Sequence, residues 1–255
     1  MKQLQAILDA TFKGNGLEFG ALHNPVKINN DSKIIYADRL SRADAIKNFP
    51  ELESHGDNIV ESDVLIDLDK NDLSIIKERN IDFIIANHVI EHVVNPIMFL
   101  KNMTRNLSKG GRILLTVPNK DFTHDKNREL TRFRSLFIKF LLRTSHLSDE
   151  RIEDYLTNKL PVENVPEGTK KFFEENGLPL SYYDNNEIPK NENLREKLFE
   201  YHRSRSIHVH VWNRKSFDFF LRKIIKLLKL NIDIEHYLPS EYSHGEMIYV
   251  LKKLT

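Results

Sequence analysis

In its first 118 residues the chain alternates short apolar segments with amphipathic ones. Apolar runs that end in glycine, aspartate or asparagine are typical of buried strands, whereas apolar residues that recur every three or four positions are typical of helices. The first predicted strand ends at 17–20, and the next four cover 33–37, 59–65, 82–86 and 113–117. Because strands that alternate with helices favour parallel βαβ units, the predicted fold is α/β with a doubly wound, mostly parallel sheet.

Capping residues place the helices between these strands. The first predicted helix covers residues 3–12. Ser41, with Asp44 three positions later, resembles a capping box and predicts a helix as far as Asn48. Pro96 suits the first helical position, and the Lys-Gly-Gly sequence at 109–111 predicts the end of that helix.

After Pro118 the alternation stops. Residues 119–206 are rich in charge and carry several short helical patterns without a convincing strand. Beyond them we predict a short strand at 207–212, an amphipathic helix at 216–230 and two last strands at 232–235 and 247–251. The chain is therefore predicted to have a ligand-binding core over 1–118, a helical insertion over 119–206 that shapes a pocket, and a completion of the core sheet over 207–255.

Composition excludes several classes of protein. With 38 basic and 37 acidic residues the net charge is +1, so no long-range field favours nucleic acid or an acidic membrane. The absence of cysteine excludes disulfides and thiolate chemistry within the 255 residues. No apolar run approaches a membrane span or a signal peptide, so we expect a cytoplasmic protein without a membrane span. The basic helix at 216–230 fits either a membrane surface or, as we expect, the cover of the sheet.

The polar residues at the predicted strand ends mark a ligand site. In an open parallel sheet, ligands bind at the carboxyl ends of the strands near the point where the strand order reverses. Asp38, 18 residues after Gly20, stands where an acidic residue accepts hydrogen bonds from the ribose of an adenosine. Asp63, at the expected end of the third strand, could receive an adenine amino group. The predicted cofactor-binding residues are Glu18, Gly20, Ala21, Asp38, Arg39, Asp63, Val64, Asn87 and His88.

Several sequence segments resemble class I S-adenosylmethionine-dependent methyltransferases. These segments are LEFGA at 17–21, YADR at 36–39, SDV at 62–64, DFIIANHVIEH at 82–92 and LSKGGRILLTVP at 107–118. The GALH-x-P opening, the ANH-x-x-EH segment, FTHDKNRELT at 122–131 and a late His-x-His element are similar to methyltransferases of bacterial capsule and lipopolysaccharide gene clusters. The resemblance implies a Rossmann-like fold, S-adenosylmethionine as cofactor, and a sugar or nucleotide sugar as substrate in surface polysaccharide biosynthesis.

The loop after the first strand departs from the glycine-rich pattern of this fold. The usual sequence has three alternating glycines, but here Gly20 is followed by Ala-Leu-His-Asn-Pro at 21–25. A pyrophosphate needs close approach of the backbone, which this loop restricts. S-adenosylmethionine carries no phosphate, so the departure argues against a nicotinamide-dependent dehydrogenase more than against a methyltransferase.

Methyl transfer to a hydroxyl requires alignment of donor and acceptor and removal of a proton. His88, one residue past the fourth strand, is a candidate base. His208 and His210, two apart in a predicted strand, would point the same way, with Asp125 orienting one of them or sharing a metal ion. His92 lies one helical turn after His88, and we expect a structural role for it. Metal dependence is left open.

The start of the insertion carries the candidate substrate-binding residues. Arg128 could bind a phosphate or carboxylate of the acceptor, and His124 lies close to it in sequence, although a solvated charged loop explains both residues equally well. Trp212 could stack on a sugar ring or be buried in the core.

Three alternative functions stay open: a methyltransferase for RNA, one for another small metabolite, and a non-catalytic S-adenosylmethionine-binding protein. Neutral net charge and the absence of interleaved aromatic and basic residues argue against RNA. A homo-oligomer is left open.

Overall fold

The chain forms a seven-stranded sheet with helices packed on it. The computed structural model describes residues 2–29, 31–49, 52, 58–70, 73–76, 80–158, 167–180, 187–238 and 245–255. The strand order is β3-β2-β1-β4-β5-β7-β6, and β7 runs antiparallel to both of its neighbours while all other pairs are parallel. This arrangement confirms the predicted doubly wound, mostly parallel α/β fold.

The strand and helix bounds are as follows. The strands are β1 (Asn15–Phe19), β2 (Lys33–Asp38), β3 (Val64–Leu65), β4 (Ile81–Asn87), β5 (Leu107–Pro118), β6 (Ile232–Leu238) and β7 (Glu246–Lys253). The helices of the described residues are α1 (Lys2–Thr11), α2 (Arg42–Asn48), α3 (Pro96–Asn106), α4 (Phe133–Leu141), α5 (Asp149–Asn158), α6 (Glu167–Glu175), α7 (Glu192–Arg205) and α8 (Arg214–Leu227).

Strand β4 is apolar along its length because it is covered on both faces. Its side chains alternate between two core clusters: Ile84 packs in the cluster that contains the apolar faces of α3 and α8, and Phe83 packs on the opposite side with α1. The Phe83 ring meets the ring of Phe12, which follows α1, at 5.3 Å in an edge-to-face arrangement. A continuous apolar run is the expected signature of such a central parallel strand.

The predicted helix starts are confirmed, and one predicted helix end is wrong. The Ser41 hydroxyl accepts the N–H of Asp44 at the start of α2, and the Asn95 side chain caps α3, whose first residue is Pro96. Helix α3 ends at Asn106, and residues 107–111 belong to β5 instead. Gly111 allows close strand approach there, since a Cβ at this position would lie 2.6 Å from the Asp82 carbonyl oxygen.

Two predicted strands differ from the structure. The third strand covers only residues 64–65 of the predicted 59–65. Residues 207–212 form no strand, because their backbone hydrogen bonds go to two separate segments: the His210 N–H donates to the Glu91 carbonyl, and the Val211 carbonyl accepts from Thr131. A segment that bonds to different partners in this way cannot build a regular ladder.

The described part of the insertion is helical and has a core of its own. Ile152 of α5, Phe173 of α6 and Leu198 of α7 are buried together, apart from the clusters of the sheet. Residues 159–166 and 181–186 of this predicted segment lie outside the described residues. Helix α8 places Phe220 in the sheet core, which confirms that it covers the sheet. No described helix combines the length and apolarity that crossing a membrane requires.

Candidate functional site

A cavity of about 400 Å³ opens at the carboxyl ends of the parallel strands. Gly20 after β1, Asp38 at the end of β2 and His88 after β4 line it. Residues 145–147 and Arg205 of the insertion line it as well. The insertion therefore lies at the edge of the sheet where the polar strand ends converge.

The turn after β1 positions Gly20 at the cavity. Gly20 has φ +64°, a left-handed conformation that costs a glycine little, and its N–H donates to the Ala37 carbonyl of β2. Glu18 does not line this cavity: one carboxylate oxygen accepts the N–H of Val26, 2.9 Å away, and closes the loop. The other oxygen is buried without a hydrogen-bond partner among the described residues, and burial raises the pKa of Glu18 to about 7.

Asp38 is placed as the sequence predicts. Its carboxylate lies at the cavity and accepts the N–H of Leu40 at 3.1 Å, while burial raises its pKa. The adjacent Arg39 also lines the cavity, but its guanidinium donates to the carbonyls of Arg203 and Ser204 at the end of α7. Arg39 therefore joins the core to the insertion and has fewer donors left for a cofactor.

The third strand places its acidic residues differently from the prediction. Asp63 precedes β3 rather than ending it, and its carboxylate accepts the backbone N–H of Tyr36 at 2.9 Å. Because β3 is two residues long and begins after Asp63, the residues that reach the cavity from its carboxyl end are Asp67 and Asp69. The adenine-binding prediction for Asp63 is therefore wrong in its geometry, and Val64, buried in the sheet core, does not reach the cavity either.

Two further predicted cofactor-binding residues lie beside the cavity rather than on its wall. The Asn87 amide oxygen at the end of β4 accepts a hydrogen bond from the Thr116 hydroxyl of β5. Ala21 lines a small cleft on the far side of the loop. Both residues support the strand ends that carry the site.

His88 is held between two carboxylates. Its Nε2 lies 2.8 Å from Glu246 Oε1 and its Nδ1 lies 3.3 Å from Glu91 Oε1. Burial acts to lower the pKa of His88, but the hydrogen bonds to Glu246 and Glu91 outweigh it and raise the pKa to about 10. His88 is therefore an imidazolium near pH 7 and has no lone pair to accept a proton, contrary to its predicted role as a base. Its φ of +53° shows how tightly the chain turns at the end of β4.

Next to His88, three histidines and two carboxylates form a cluster, which consists of His92, His124, His208, Glu91 and Asp125. The ring of His208 lies 4.9 Å from that of His92 and stacks on that of His124 at 4.8 Å. His208 Nδ1 is 2.5 Å from Asp125 Oδ2, and His92 Nδ1 is 2.9 Å from the Ile207 carbonyl oxygen. His92 lines the cavity, so the cluster adjoins it. Burial lowers the pKa of His92, which favours its neutral form.

Asp125 is anchored as an anion beneath the cluster. Burial alone would raise its pKa, but the hydrogen bond from His208 and the charges of His208 and Arg128 hold that pKa well below its usual range. Arg128 is fully buried and donates to Asp125 at 2.7 Å, to the His208 carbonyl at 2.8 Å and to Asp154 at 2.8 Å. The predicted substrate-binding role of Arg128 is therefore wrong, because its donors are already used to position the cluster.

His210 and Trp212 face the core and not the site. Each is 1 % exposed. His210 Nε2 is 3.2 Å from the Val94 carbonyl oxygen, and burial lowers the pKa of His210 well below its usual value. The Trp212 ring packs on Phe217 and Phe220 of α8. Because residues 207–212 are not a flat strand, His208 and His210 do not share a face, and the predicted roles of His210 as base and Trp212 as sugar platform are wrong.

The sequence prediction missed Glu91 as a site residue. Its side chain is completely buried beside His88, His92 and His208. Burial acts to raise its pKa, but the hydrogen bond from His88 and the histidine charges lower it. The available signal was its place in the ANH-x-x-EH segment, three positions after His88 and directly before His92.

Comparisons with known proteins agree with this architecture. Residues 14–160 match the family model described as a methyltransferase domain. No curated protein matches the sequence significantly. A structure described as Zn-dependent alcohol dehydrogenases from Rhodobacter sphaeroides is 12 % identical, with TM-score 0.50, over 100 % of this chain and 90 % of its own.

Two solved methyltransferase structures are similar at lower scores. An S-adenosylmethionine-dependent methyltransferase from Clostridium acetobutylicum is 8 % identical, with TM-score 0.49, over 100 % of this chain and 89 % of its own. A plantazolicin methyltransferase in complex with SAH is 11 % identical, with TM-score 0.46, over 100 % of this chain and 82 % of its own. The family model covers β1 to β5 and more than half of the sequence. The chain belongs to the methyltransferase-domain family.

Proposed function

We propose that this methyltransferase transfers a methyl group from S-adenosylmethionine to a hydroxyl of a sugar, either nucleotide-activated or part of a surface polysaccharide. The observation that carries the proposal is the cavity at the strand ends, which is lined by Asp38 and adjoined by the histidine–carboxylate cluster through His92. The methyl donor is S-adenosylmethionine, which supplies an electrophilic methyl group on a sulfonium.

The cavity fits that donor in size and chemistry. About 400 Å³ is within the usual range for a small-ligand site. The Asp38 carboxylate, fixed by the Leu40 N–H, can accept hydrogen bonds from ribose hydroxyls, and Ile66, Leu68 and Val89 provide apolar contact for a purine. We therefore assign the donor to the wall formed by β1, β2 and the segment after β3.

The cluster next to the cavity suits the acceptor. As the new C–O bond forms and the C–S bond breaks, the sulfur keeps the bonding pair and the acceptor oxygen must lose its proton. With its Nδ1–H donated to the Asp125 carboxylate, His208 carries its lone pair on Nε2. We propose that this nitrogen faces the acceptor hydroxyl, and that Asp125 and Arg128 act only by positioning His208.

The sugar assignment is supported by the sequence resemblance to methyltransferases of capsule and lipopolysaccharide gene clusters. We further propose that residues 119–206 are the acceptor cap, since residues 145–147 and Arg205 line the same cavity as Asp38. His124, half-exposed and stacked on His208, is the substrate-binding candidate that the geometry leaves in place.

A methyl-transfer screen tests the proposal. The purified chain, supplied with labelled S-adenosylmethionine, is offered nucleotide sugars, other hydroxylated metabolites and RNA transcripts. We expect label on at least one sugar and none with the Asp38→Ala variant. Label only on RNA or on a non-sugar metabolite would refute the acceptor class. Tight binding of S-adenosylhomocysteine without transfer to any acceptor would instead favour a non-catalytic binding protein.

A further inference from the structure

We infer that Glu91, His92 and His208 form a binding site for a divalent transition-metal ion of the zinc type. Each of these side chains offers one ligand atom, and the three atoms lie within 4.8 Å of one another. A tetrahedral zinc ion holds its ligand atoms roughly 3.3 Å apart, given bonds of about 2.0–2.1 Å. The ligand atoms would therefore have to approach one another by about 1.5 Å at most around the ion.

The two histidines are already oriented as metal ligands are. A metal-binding histidine usually donates its second ring N–H to a carboxylate or a backbone carbonyl, which fixes its tautomer and its direction. His92 Nδ1 is bonded to the Ile207 carbonyl at 2.9 Å, and His208 Nδ1 to Asp125 at 2.5 Å. Both rings therefore keep Nε2 for an ion, and His92 Nε2 lies 3.9 Å from Glu91 Oε1.

The Glu91 carboxylate gives a second indication of a bound cation, which does not depend on the orientation of the histidines. Its side chain is completely buried, and its Oε2 has no hydrogen-bond partner among the residues that the structure describes. His88 approaches only the other oxygen, Oε1, at 3.3 Å. A buried carboxylate oxygen is normally satisfied by a donor or a cation, so a metal ion explains this arrangement.

A second set of neighbouring atoms, from His124, Asp125 and His208, is the weaker candidate. Both Asp125 oxygens already have strong partners, since Oδ1 accepts from Arg128 at 2.7 Å and Oδ2 faces His208 at 2.5 Å. Asp125 is therefore the carboxylate that orients His208, and Glu91 is the carboxylate that would bind the ion.

Two imidazoles and one carboxylate favour zinc-like ions over magnesium, which prefers oxygen ligands. Three protein ligands leave a fourth coordination position of the ion open. Because His92 lines the cavity, this open position lies next to it. This inference deepens the proposed function and rests on it for one point only. With its Nε2 bound to the ion, His208 would not take the proton itself, and an acceptor hydroxyl in the open position would be acidified by the ion and would release its proton to solvent. Binding of the metal itself does not depend on the identity of the acceptor.

Metal titration of the tag-free, chelator-treated chain tests the site. We expect Zn²⁺ to bind with one equivalent per chain by calorimetry, and Co²⁺ to give visible absorption bands typical of a four- or five-coordinate site. Glu91→Gln and His92→Ala should each weaken binding by about 100-fold or more and remove the Co²⁺ bands. His236→Ala, in the edge strand β6 away from the cluster, is the matched control and should bind as the unmodified chain does.

The outcomes separate this inference from the proposed function. Binding of S-adenosylhomocysteine is measured on the same samples, and melting curves verify that each variant is folded. Failure of Zn²⁺ to bind a chain that still binds S-adenosylhomocysteine would overturn the metal site and leave the proposed donor site standing. Unchanged Zn²⁺ affinity in folded Glu91→Gln and His92→Ala would also overturn it. Metal binding without transfer to any sugar would support the site and count against the proposed acceptor.

Discussion

Single carboxylates in this protein have different tasks because their surroundings differ. Asp38 faces a cavity and keeps acceptor capacity for a ligand. Asp125 is enclosed by Arg128 and His208, and its two oxygens hold these side chains in place through hydrogen bonds. Glu18 is buried against its own loop.

The first prediction concerns Asp38. The Asp38→Ala variant loses the carboxylate that we assign to the ribose, and charge-assisted hydrogen bonds contribute about 1.5–3 kcal/mol each. We expect the affinity for S-adenosylhomocysteine to fall by roughly tenfold or more, measured by calorimetry, with the melting temperature nearly unchanged. Asp63→Ala is the matched control, since Asp63 binds a backbone N–H away from the cavity. Equal affinity in the two variants would contradict the assignment.

The second prediction concerns His208. The His208→Ala variant should lower kcat by roughly 10²–10⁴-fold, because it removes either the base that takes the proton or a ligand of the ion that acidifies the hydroxyl. Binding of S-adenosylhomocysteine should stay within about twofold, since His208 acts on the acceptor. His210→Asn, a change at the core histidine, should affect the melting temperature more than kcat in whatever fraction stays folded. Steady-state kinetics of His208→Ala within tenfold of the parent chain would place the base elsewhere.

The third prediction concerns pH and Glu18. Burial raises its pKa from 4.5 to about 7 in the folded chain, so between these values the folded state holds a proton that the unfolded state has lost. The free energy of unfolding must therefore fall as pH rises through this window, by about 3 kcal/mol at most. Urea unfolding without cofactor, at about pH 5 and pH 7.5, should show a smaller fall for Glu18→Gln than for the parent chain. Glu174→Gln, a change at an exposed residue, should leave this decrease in the free energy of unfolding unchanged. The same decrease in all three proteins would disprove the assignment of the pH effect to Glu18.

At the scale of elements, the site depends on where strands stop. Strand β4 ends in a turn with His88 at φ +53°, and this turn brings Glu91 and His92 back toward the carboxyl edge. The shortness of β3 carries Asp67 and Asp69 to the cavity in place of Asp63. Strand length therefore decides which acidic residue reaches a ligand.

The fourth prediction concerns helix α8, whose two faces contain a matched pair of phenylalanines. Phe220 is 1 % exposed in the sheet core and Phe219 is 53 % exposed. Phe220→Ala should lower the free energy of unfolding by about 3–5 kcal/mol through lost packing, and Phe219→Ala by less than about 1 kcal/mol. Equal effects in denaturant titrations would contradict the sheet-covering role of the helix.

At the scale of the whole molecule, the core and the insertion meet across the cavity. Arg39 binds the carbonyls at the end of α7, and residues 145–147 line the same cavity as the strand ends. A ligand in the cavity would touch both parts, so its binding should restrain the insertion as well as the core.

The fifth prediction follows from that arrangement. With S-adenosylhomocysteine at about 100 times its Kd, amide hydrogen exchange at 145–147 and 203–206 should slow, by up to ~100-fold where opening requires release of the ligand. Strand β6, at the far edge of the sheet, should exchange at an unchanged rate. Slowing confined to the core residues would show that the insertion does not close on the cofactor.

Much of the fold could be predicted from the sequence, because strand burial and helix capping are local. The apolar run of β4 and the caps at Ser41 and Asn95 correspond to observed elements. The error at 107–111 arose because a Gly-Gly pair ends helices and also allows close strand approach. Of the predicted cofactor-binding residues, Gly20, Asp38, Arg39 and His88 line the cavity, since they stand at or just after strand ends that could be predicted from the sequence.

The sequence by itself determined the doubly wound sheet, the edge at which a ligand binds and the methyltransferase resemblance, since periodicity and short motifs encode them. Only the tertiary structure decided which polar groups are available. Arg128, Trp212 and His210 are buried by contacts with residues distant in the sequence, and His88 is held in its protonated form by Glu246 from 158 positions away. Burial and charge pairing between such distant segments set the chemistry of a side chain, and no local pattern records them.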